Sequence, residues 1–285
     1  MSMFQRLFKS GKSQTDQPAQ NAKTAAPKGN IFEVLKKNDP KALTKFIGNG
    51  GDVNEKDASG KTALVHATFD HNPVIAKILI EAGADPNVQF SNGLTALMVA
   101  SGGMLFREVA GVLLDAGADV NLQADSGLTA LLAAVQSDNA ALVERLLAAG
   151  ADVNRQSADG ATALMAATDS ARIMELLIAK HPDLNLKENV NGFSALTGAA
   201  WKGKTDAARL LINAGADVNL KANNDRTALM AAAAQGFSEI VKLLIDAKAD
   251  VNVKETQAGM TALKGAEKNG HTEVVAMLKK AGAKG

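Results

Sequence analysis

Hydrophobic residues in this chain fall into two kinds of run that alternate along its length. The first kind is short and rich in alanine, as in Ala228-Leu-Met-Ala-Ala-Ala-Ala234. Alanine is the best helix former, and its small side chain lets a neighbouring helix approach closely. The second kind is larger and branched, as in Ile240-Val-Lys-Leu-Leu-Ile245, with a spacing that suits a helix burying one face. Polar phrases containing glycine, aspartate and asparagine separate the runs. The pattern predicts paired helices joined by turns.

The polar phrases are near copies of one another. They read Gly50-Gly-Asp-Val-Asn54, Gly83-Ala-Asp-Pro-Asn87, Gly117-Ala-Asp-Val-Asn121, Gly150-Ala-Asp-Val-Asn154, His181-Pro-Asp-Leu-Asn185, Gly215-Ala-Asp-Val-Asn219 and Lys248-Ala-Asp-Val-Asn252. Their spacing of about 33 residues marks a stacked repeat architecture. A second phrase opens each alanine-rich run: Thr62-Ala-Leu64, Thr95-Ala-Leu97, Thr129-Ala-Leu131, Thr162-Ala-Leu164, Ser194-Ala-Leu196, Thr227-Ala-Leu229 and Thr261-Ala-Leu263. A glycine stands two residues earlier in every copy except the sixth, which has Asp225. The Thr or Ser is placed to cap a helix, its oxygen accepting a bond from a first-turn N–H. The glycine that opens the longer phrase suits a left-handed helix end, and the Asp and Asn after it suit a tight turn. Each unit is thus helix, turn, helix, hairpin-like loop.

These phrases resemble the ankyrin repeat. The family's Thr-Pro-Leu-His becomes Thr-Ala-Leu followed here by Val65, Met98, Leu132, Met165, Thr197, Met230 or Lys264, so that no copy keeps the proline or the histidine. Packing by Met or Leu must then replace the bonds that the histidine makes in the family. The resemblance covers a leading half-repeat at 30–55 and seven repeats starting near 56, 90, 124, 157, 188, 222 and 255, after a tail at 1–29. It implies an all-α solenoid that offers a long surface rather than a catalytic cleft. It also implies a protein–protein interaction scaffold or adaptor, with an inhibitor or immunity protein that occludes an enzyme, or a secreted effector adaptor, as alternatives. In the family, partners are held at the loop tips and at the ends of the first helices, on the concave side. Carried onto this chain, those positions include Phe69, Leu94, Leu128, Phe193, Trp201, Lys202, Arg226 and Met260. The six apolar ones would form a broken apolar strip. The competing reading is that each packs on its neighbouring repeat.

Two repeats break the period. The second has an extra residue between its helices, giving Ser101-Gly-Gly-Met-Leu-Phe106, which places Met104, Leu105 and Phe106 on a turn. The fourth lacks two residues near Asp169-Ser-Ala-Arg172. His181 and Lys248 replace glycine at helix ends, where a left-handed side chain costs roughly 1 kcal/mol.

Composition removes several functional classes. The net charge is +1, so no overall field favours nucleic acid, and basic residues do not cluster with aromatics along the repeats. There is no cysteine, hence no disulfide and no thiolate metal site. The four histidines, His66, His71, His181 and His271, sit at unrelated positions, and no phosphate loop or nucleophile motif occurs. No enzyme activity, cofactor or metal is expected. The constant place of each Asp in its loop argues for turn and capping roles. No stretch is long and apolar enough to span a bilayer, and the N-terminus lacks the apolar core of a secretory signal. A cytoplasmic location is the default. The tail is basic and its stretch from Lys12 to Asn30 is polar enough to be a disordered linker. Phe4, Leu7 and Phe8 are spaced for one short amphipathic helix beside Arg6, Lys9 and Lys12. That spacing admits weak docking at a membrane surface or in a partner's groove, and equally a disordered start or a non-classical export signal.

Overall fold

A computed structural model of the chain describes residues 29–284. The expectations for the tail, including Phe4, Leu7 and Phe8, lie outside the described residues. Among the described residues there are sixteen α-helices and no named strand. The described residues divide into two compact units, one ending at Ala151 and the other starting at Asp152.

In the N-terminal unit the helices are α1 (Ile31–Leu35), α2 (Pro40–Gly48), α3 (Ala63–Phe69), α4 (Pro73–Glu81), α5 (Ala96–Ser101), α6 (Arg107–Asp115), α7 (Ala130–Gln136) and α8 (Ala140–Ala148). In the C-terminal unit they are α9 (Ala163–Ala166), α10 (Ala171–Ile178), α11 (Ala195–Lys202), α12 (Thr205–Asn213), α13 (Ala228–Gln235), α14 (Ser238–Asp246), α15 (Ala262–Lys268) and α16 (Thr272–Lys280). Odd-numbered helices are the alanine-rich ones from α3 onward, and each packs on its even partner and on the next odd helix of its unit. The residue pattern dictates that layering. Ala63, Ala96, Ala130, Ala195, Ala228 and Ala262 are all buried, as are the leucines that follow them. The residues standing in place of the family histidine, such as Val65, Met98, Leu132 and Met230, are buried as well, so apolar packing does occupy that position. Met165 is half-buried and Lys264 is exposed.

The expected caps are present. Thr62, Thr95, Thr129, Thr162, Ser194, Thr227 and Thr261 each accept a bond from the N–H three residues ahead, at 3.1–3.4 Å. A cap of this kind contributes about 1 kcal/mol.

The Gly-Ala-Asp-Val-Asn phrase does more than turn the chain. Each Asp accepts the N–H of its own Asn, as Asp52 does from Asn54 at 2.8 Å and Asp217 from Asn219 at 2.9 Å. Each Asn side chain then reaches into the next repeat. Asn54 accepts the Asp85 N–H at 2.8 Å and Asn87 that of Asp119 at 2.8 Å in the first unit. In the second unit Asn154 accepts from Asp183, Asn185 from Asp217, Asn219 from Asp250 and Asn252 from Lys284, at 2.7–3.0 Å. The Asn54, Asn121 and Asn252 amides also donate to the carbonyls of Gly83, Gly150 and Gly282 at 3.0–3.3 Å, which a carboxylate could not do. His181 and Lys248 take the left-handed conformation at φ 52° and 68° where other copies use glycine.

The irregular repeats settle locally. In the second, Met104–Phe106 forms a short 3-10 turn, with Met104 57 % and Leu105 78 % exposed. Phe106 is half-buried and its ring lies 4.1 Å from that of His71. In the fourth, the missing residues shorten α9 to four residues, and Ala167–Asp169 continues it as 3-10 helix. Among the described residues, no helix is long and apolar enough to cross a membrane.

Candidate functional site

Every repeat presents a small loop just before its capping Thr or Ser, and these loops come in two lengths. The loop is closed by one backbone bond, in which the N–H of its first residue donates to the carbonyl of the tip. Asp57 donates to Lys61, Phe90 to Leu94, Ala124 to Leu128, Ser157 to Ala161 and Ala222 to Arg226, each four residues ahead. Glu188 donates to Phe193 and Glu255 to Met260, each five residues ahead. In the longer loops a glutamate side chain spans the extra residue. Glu188 accepts the N–H groups of Val190, Asn191 and Phe193 at 2.6–3.0 Å, and Glu255 accepts that of Ala258 at 3.1 Å. In the first repeat the shorter Asp57 does the same for Ser59 and Lys61 at 2.8 and 3.0 Å.

These bonds set the carboxylate chemistry. Burial raises the Asp57 pKa, but the bonds from the Ser59 hydroxyl, the Lys61 N–H, His66 and the Ser59 N–H outweigh it and hold the group at about 2. Burial likewise raises Glu188, and the Phe193, Val190 and Asn191 N–H groups reverse it to a net lowering.

The two leucine tips on short loops are sealed. Leu94 and Leu128 are each 5 % exposed, so the expected apolar strip does not run through the N-terminal unit. Burial of an apolar side chain is favourable, whereas Lys61 and Arg226, the polar tips on loops of the same length, are half-buried. Phe69, at the end of α3, is half-buried. Its ring meets Phe90 edge-on at 6.2 Å, and the Lys61 ammonium sits 5.4 Å from its centroid. Lys61, the only polar tip of that unit, is thus turned onto an aromatic face.

The C-terminal unit is different. Phe193 and Met260, both on longer loops, are half-buried. Trp201 stands on the last turn of α11 and remains 41 % exposed. Its ring lies 6.3 Å from that of Phe193 at an interplanar angle of 49°. Beside Trp201 opens a groove of about 230 Å³. Met230 and Ala234 of α13, Gly265 and Asn269 of α15, and Arg226 and Met260 of the loop tips line it. Gly265 has no side chain to fill the floor, and Ala234 is the nearest neighbour a Cβ there would meet, at 3.6 Å. The Asn269 amide donates to the Ala234 carbonyl at 2.6 Å, and the His271 ring bonds the same carbonyl at 3.1 Å. Arg226 pairs with Glu255, which is 7 % exposed, with Nη2 3.6 Å from the carboxylate. Lys202 is exposed beside Trp201.

The structure thus brings Trp201, Arg226 and Met260 to one groove, with the Phe193 ring tilted against that of Trp201, and leaves Phe69, Leu94 and Leu128 out of it. Met230 and Glu255 are the groove residues that sequence reasoning missed. The signal for Glu255 was available: the steps from Asn185 to Ser194 and from Asn252 to Thr261 are one residue longer than the others, such as Asn87 to Thr95. Among the described residues, no three His, Cys, Asp or Glu side chains gather where they could hold a metal.

Comparison with known proteins agrees with the architecture. A family model described as ankyrin repeats in three copies matches residues 31–124, 107–188, 131–222 and 199–285. The chain is 39 % identical over 61 residues to the ankyrin repeat and SAM domain-containing protein 6 of Rattus norvegicus, covering 21 % of this chain and 7 % of that protein. It is 34 % identical over 58 residues to the mitochondrial disaggregase of Homo sapiens, covering 20 % and 8 %. It is 36 % identical over 70 residues to a putative ankyrin repeat-containing protein of Treponema pallidum (strain Nichols), covering 24 % of each. The chain therefore spans a quarter or less of these relatives, and the likeness lies in the repeats.

Proposed function

The chain belongs to the ankyrin-repeat family, and from that premise we propose that it holds another protein on the face of its C-terminal unit, with Trp201 as the anchor. Ankyrin repeats are protein–protein interaction modules, and the finer reading concerns where this chain grips. The observation that carries it is the groove beside Trp201. A large aromatic ring left 41 % exposed, backed by a second ring and bordered by an unfilled cleft, has the make-up of a binding hot spot. At about 230 Å³ the groove falls below the ~300–1,000 Å³ of small-molecule sites. It is sized for one side chain of a partner. Lys202 and Arg226 border that site as polar contacts, and the Phe193 ring is tilted against the indole.

The test is affinity capture with the intact chain and with Trp201→Ala in parallel. Truncation of a hot-spot Trp should lower partner affinity at least tenfold, about 1.4 kcal/mol or more, and empty the captured fraction. Stability should change by no more than about 1 kcal/mol, because the ring is 41 % exposed and borders an open groove rather than a sealed core. Capture of the same proteins in the same amounts by Trp201→Ala contradicts the proposal.

A further inference from the structure

The groove has a charge as well as a shape. On the elements that line it, α11, α13, α15 and the loops at 222–227 and 255–261, the acidic residues are Asp225, Glu255 and Glu267. All three are engaged. Asp225 pairs with Lys221 at 3.5 Å and Glu267 with Lys279 at 2.9 Å, both cations from outside the groove, and buried Glu255 pairs with Arg226. The basic residues on the same elements are Lys202, Arg226, Lys264 and Lys268. The three lysines are exposed and make no ion pair among the described residues, though Lys202 acts at a distance to lower the pKa of Asp169. Lys264 stands where the other repeats carry Val, Met, Leu or Thr. It shares a stripe of α15 with Lys268, next to the stripe of Gly265 and Asn269 that lines the groove. The groove is thus lined by Arg226, and the elements that line it carry three further exposed cations outside that lining.

Arg226 adds geometry to that charge. A guanidinium carries five donors in a planar fork. Glu255 lies 3.6 Å from one terminal nitrogen of the fork, while the Arg226 side chain stays 36 % exposed and lines the groove. Its remaining donors suit a carboxylate, which accepts paired N–H bonds.

We propose that the groove takes an acidic segment of a partner protein, one aromatic or large aliphatic side chain entering beside Trp201 while flanking carboxylates meet Arg226, Lys202, Lys264 and Lys268. This rests on the reading of the Trp201 face as the partner-binding surface, and names the chemistry of what it binds.

The chain provides its own probe. Trp201 is the single tryptophan and there is no tyrosine, so indole emission reports on this groove alone. The experiment titrates the full chain with synthetic nonapeptides that carry a central phenylalanine flanked by glutamates, by glutamines or by lysines, and a fourth with glutamates around a central alanine. The glutamate–phenylalanine peptide should shift or quench the emission with a Kd at least tenfold below that of the glutamine version at low salt. That gap should narrow in 0.5 M salt as the charges are screened. The triple variant Lys202→Gln, Lys264→Gln, Lys268→Gln should raise its Kd about tenfold, and the central alanine should weaken it by a similar factor. Equal binding of the glutamine or lysine peptide, no emission change with any peptide, or a Kd untouched by the triple variant overturns the inference. Such a failure, with lysate capture still abolished by Trp201→Ala, leaves the surface in place and removes only the acidic class. Undiminished capture by Trp201→Ala removes both.

Discussion

The two units are built from the same repeat and differ in what their corresponding surface positions do. At the end of a first helix the N-terminal unit has Phe69, and the C-terminal unit has Trp201. Phe69 is closed over by Phe90 and by the Lys61 ammonium, while Trp201 borders an open groove. At the loop tips, Leu94 and Leu128 are sealed into the first unit, whereas Phe193 and Met260 stay partly exposed on the second. Phe193 and Met260, the large apolar tips that stay partly exposed, are the ones on loops with one extra residue, spanned by a glutamate. The lesson is that an apolar residue at a nominal contact position says little about a surface until the length of the loop beneath it is known.

The largest expected effect separates the two aromatic positions. Phe69→Ala should cost about 2 kcal/mol of stability, since it removes a ring packed edge-on against another. Trp201→Ala should cost less than about 1 kcal/mol. Urea unfolding followed by circular dichroism compares them, and a reversed order breaks the contrast. The next effect concerns the loop acids. Asp57→Asn should lose about 1–2 kcal/mol, because the folded carboxylate is held at about 2 by its bonds. The sign follows from the lowered pKa: this stabilisation is present above the ordinary value of 3.8 and fades as the pH falls towards 2. Wild type should therefore lose more stability than Asp57→Asn between pH 4 and pH 2, and parallel curves would refute the bonding. The smallest effect is at the groove floor. Gly265→Ala should stabilise the chain by about 0.5–1 kcal/mol through helix propensity, since its Cβ would sit at an ordinary 3.6 Å from Ala234. A measured loss would mean that the floor is tighter than described.

Much of this was legible in the sequence. The caps at Thr62 through Thr261 and the left-handed positions follow from single-residue stereochemistry, which is local. The cross-repeat role of Asn54, Asn87 and their counterparts was not legible, because a bond to an N–H about 31 residues away depends on how closely neighbouring loops stack. The candidate site was legible in part. Trp201, Arg226 and Met260 were named from their register, and they do border one groove. Leu94 and Leu128 were named by the same register and are buried, because register fixes a residue's place in the repeat and not the height of its loop. Met230 looked like a packing residue and is one, at 7 % exposed, yet it also lines the groove.

The claim that the C-terminal face is the grip can be put to its most direct test through the indole itself. Once a partner has been captured, it is titrated into the intact chain while Trp201 emission and its quenching by acrylamide are recorded. A blue shift and protection from quenching should appear and saturate at the stoichiometry of the complex. A complex that forms fully while Trp201 keeps its free-state emission and its access to acrylamide would contradict it.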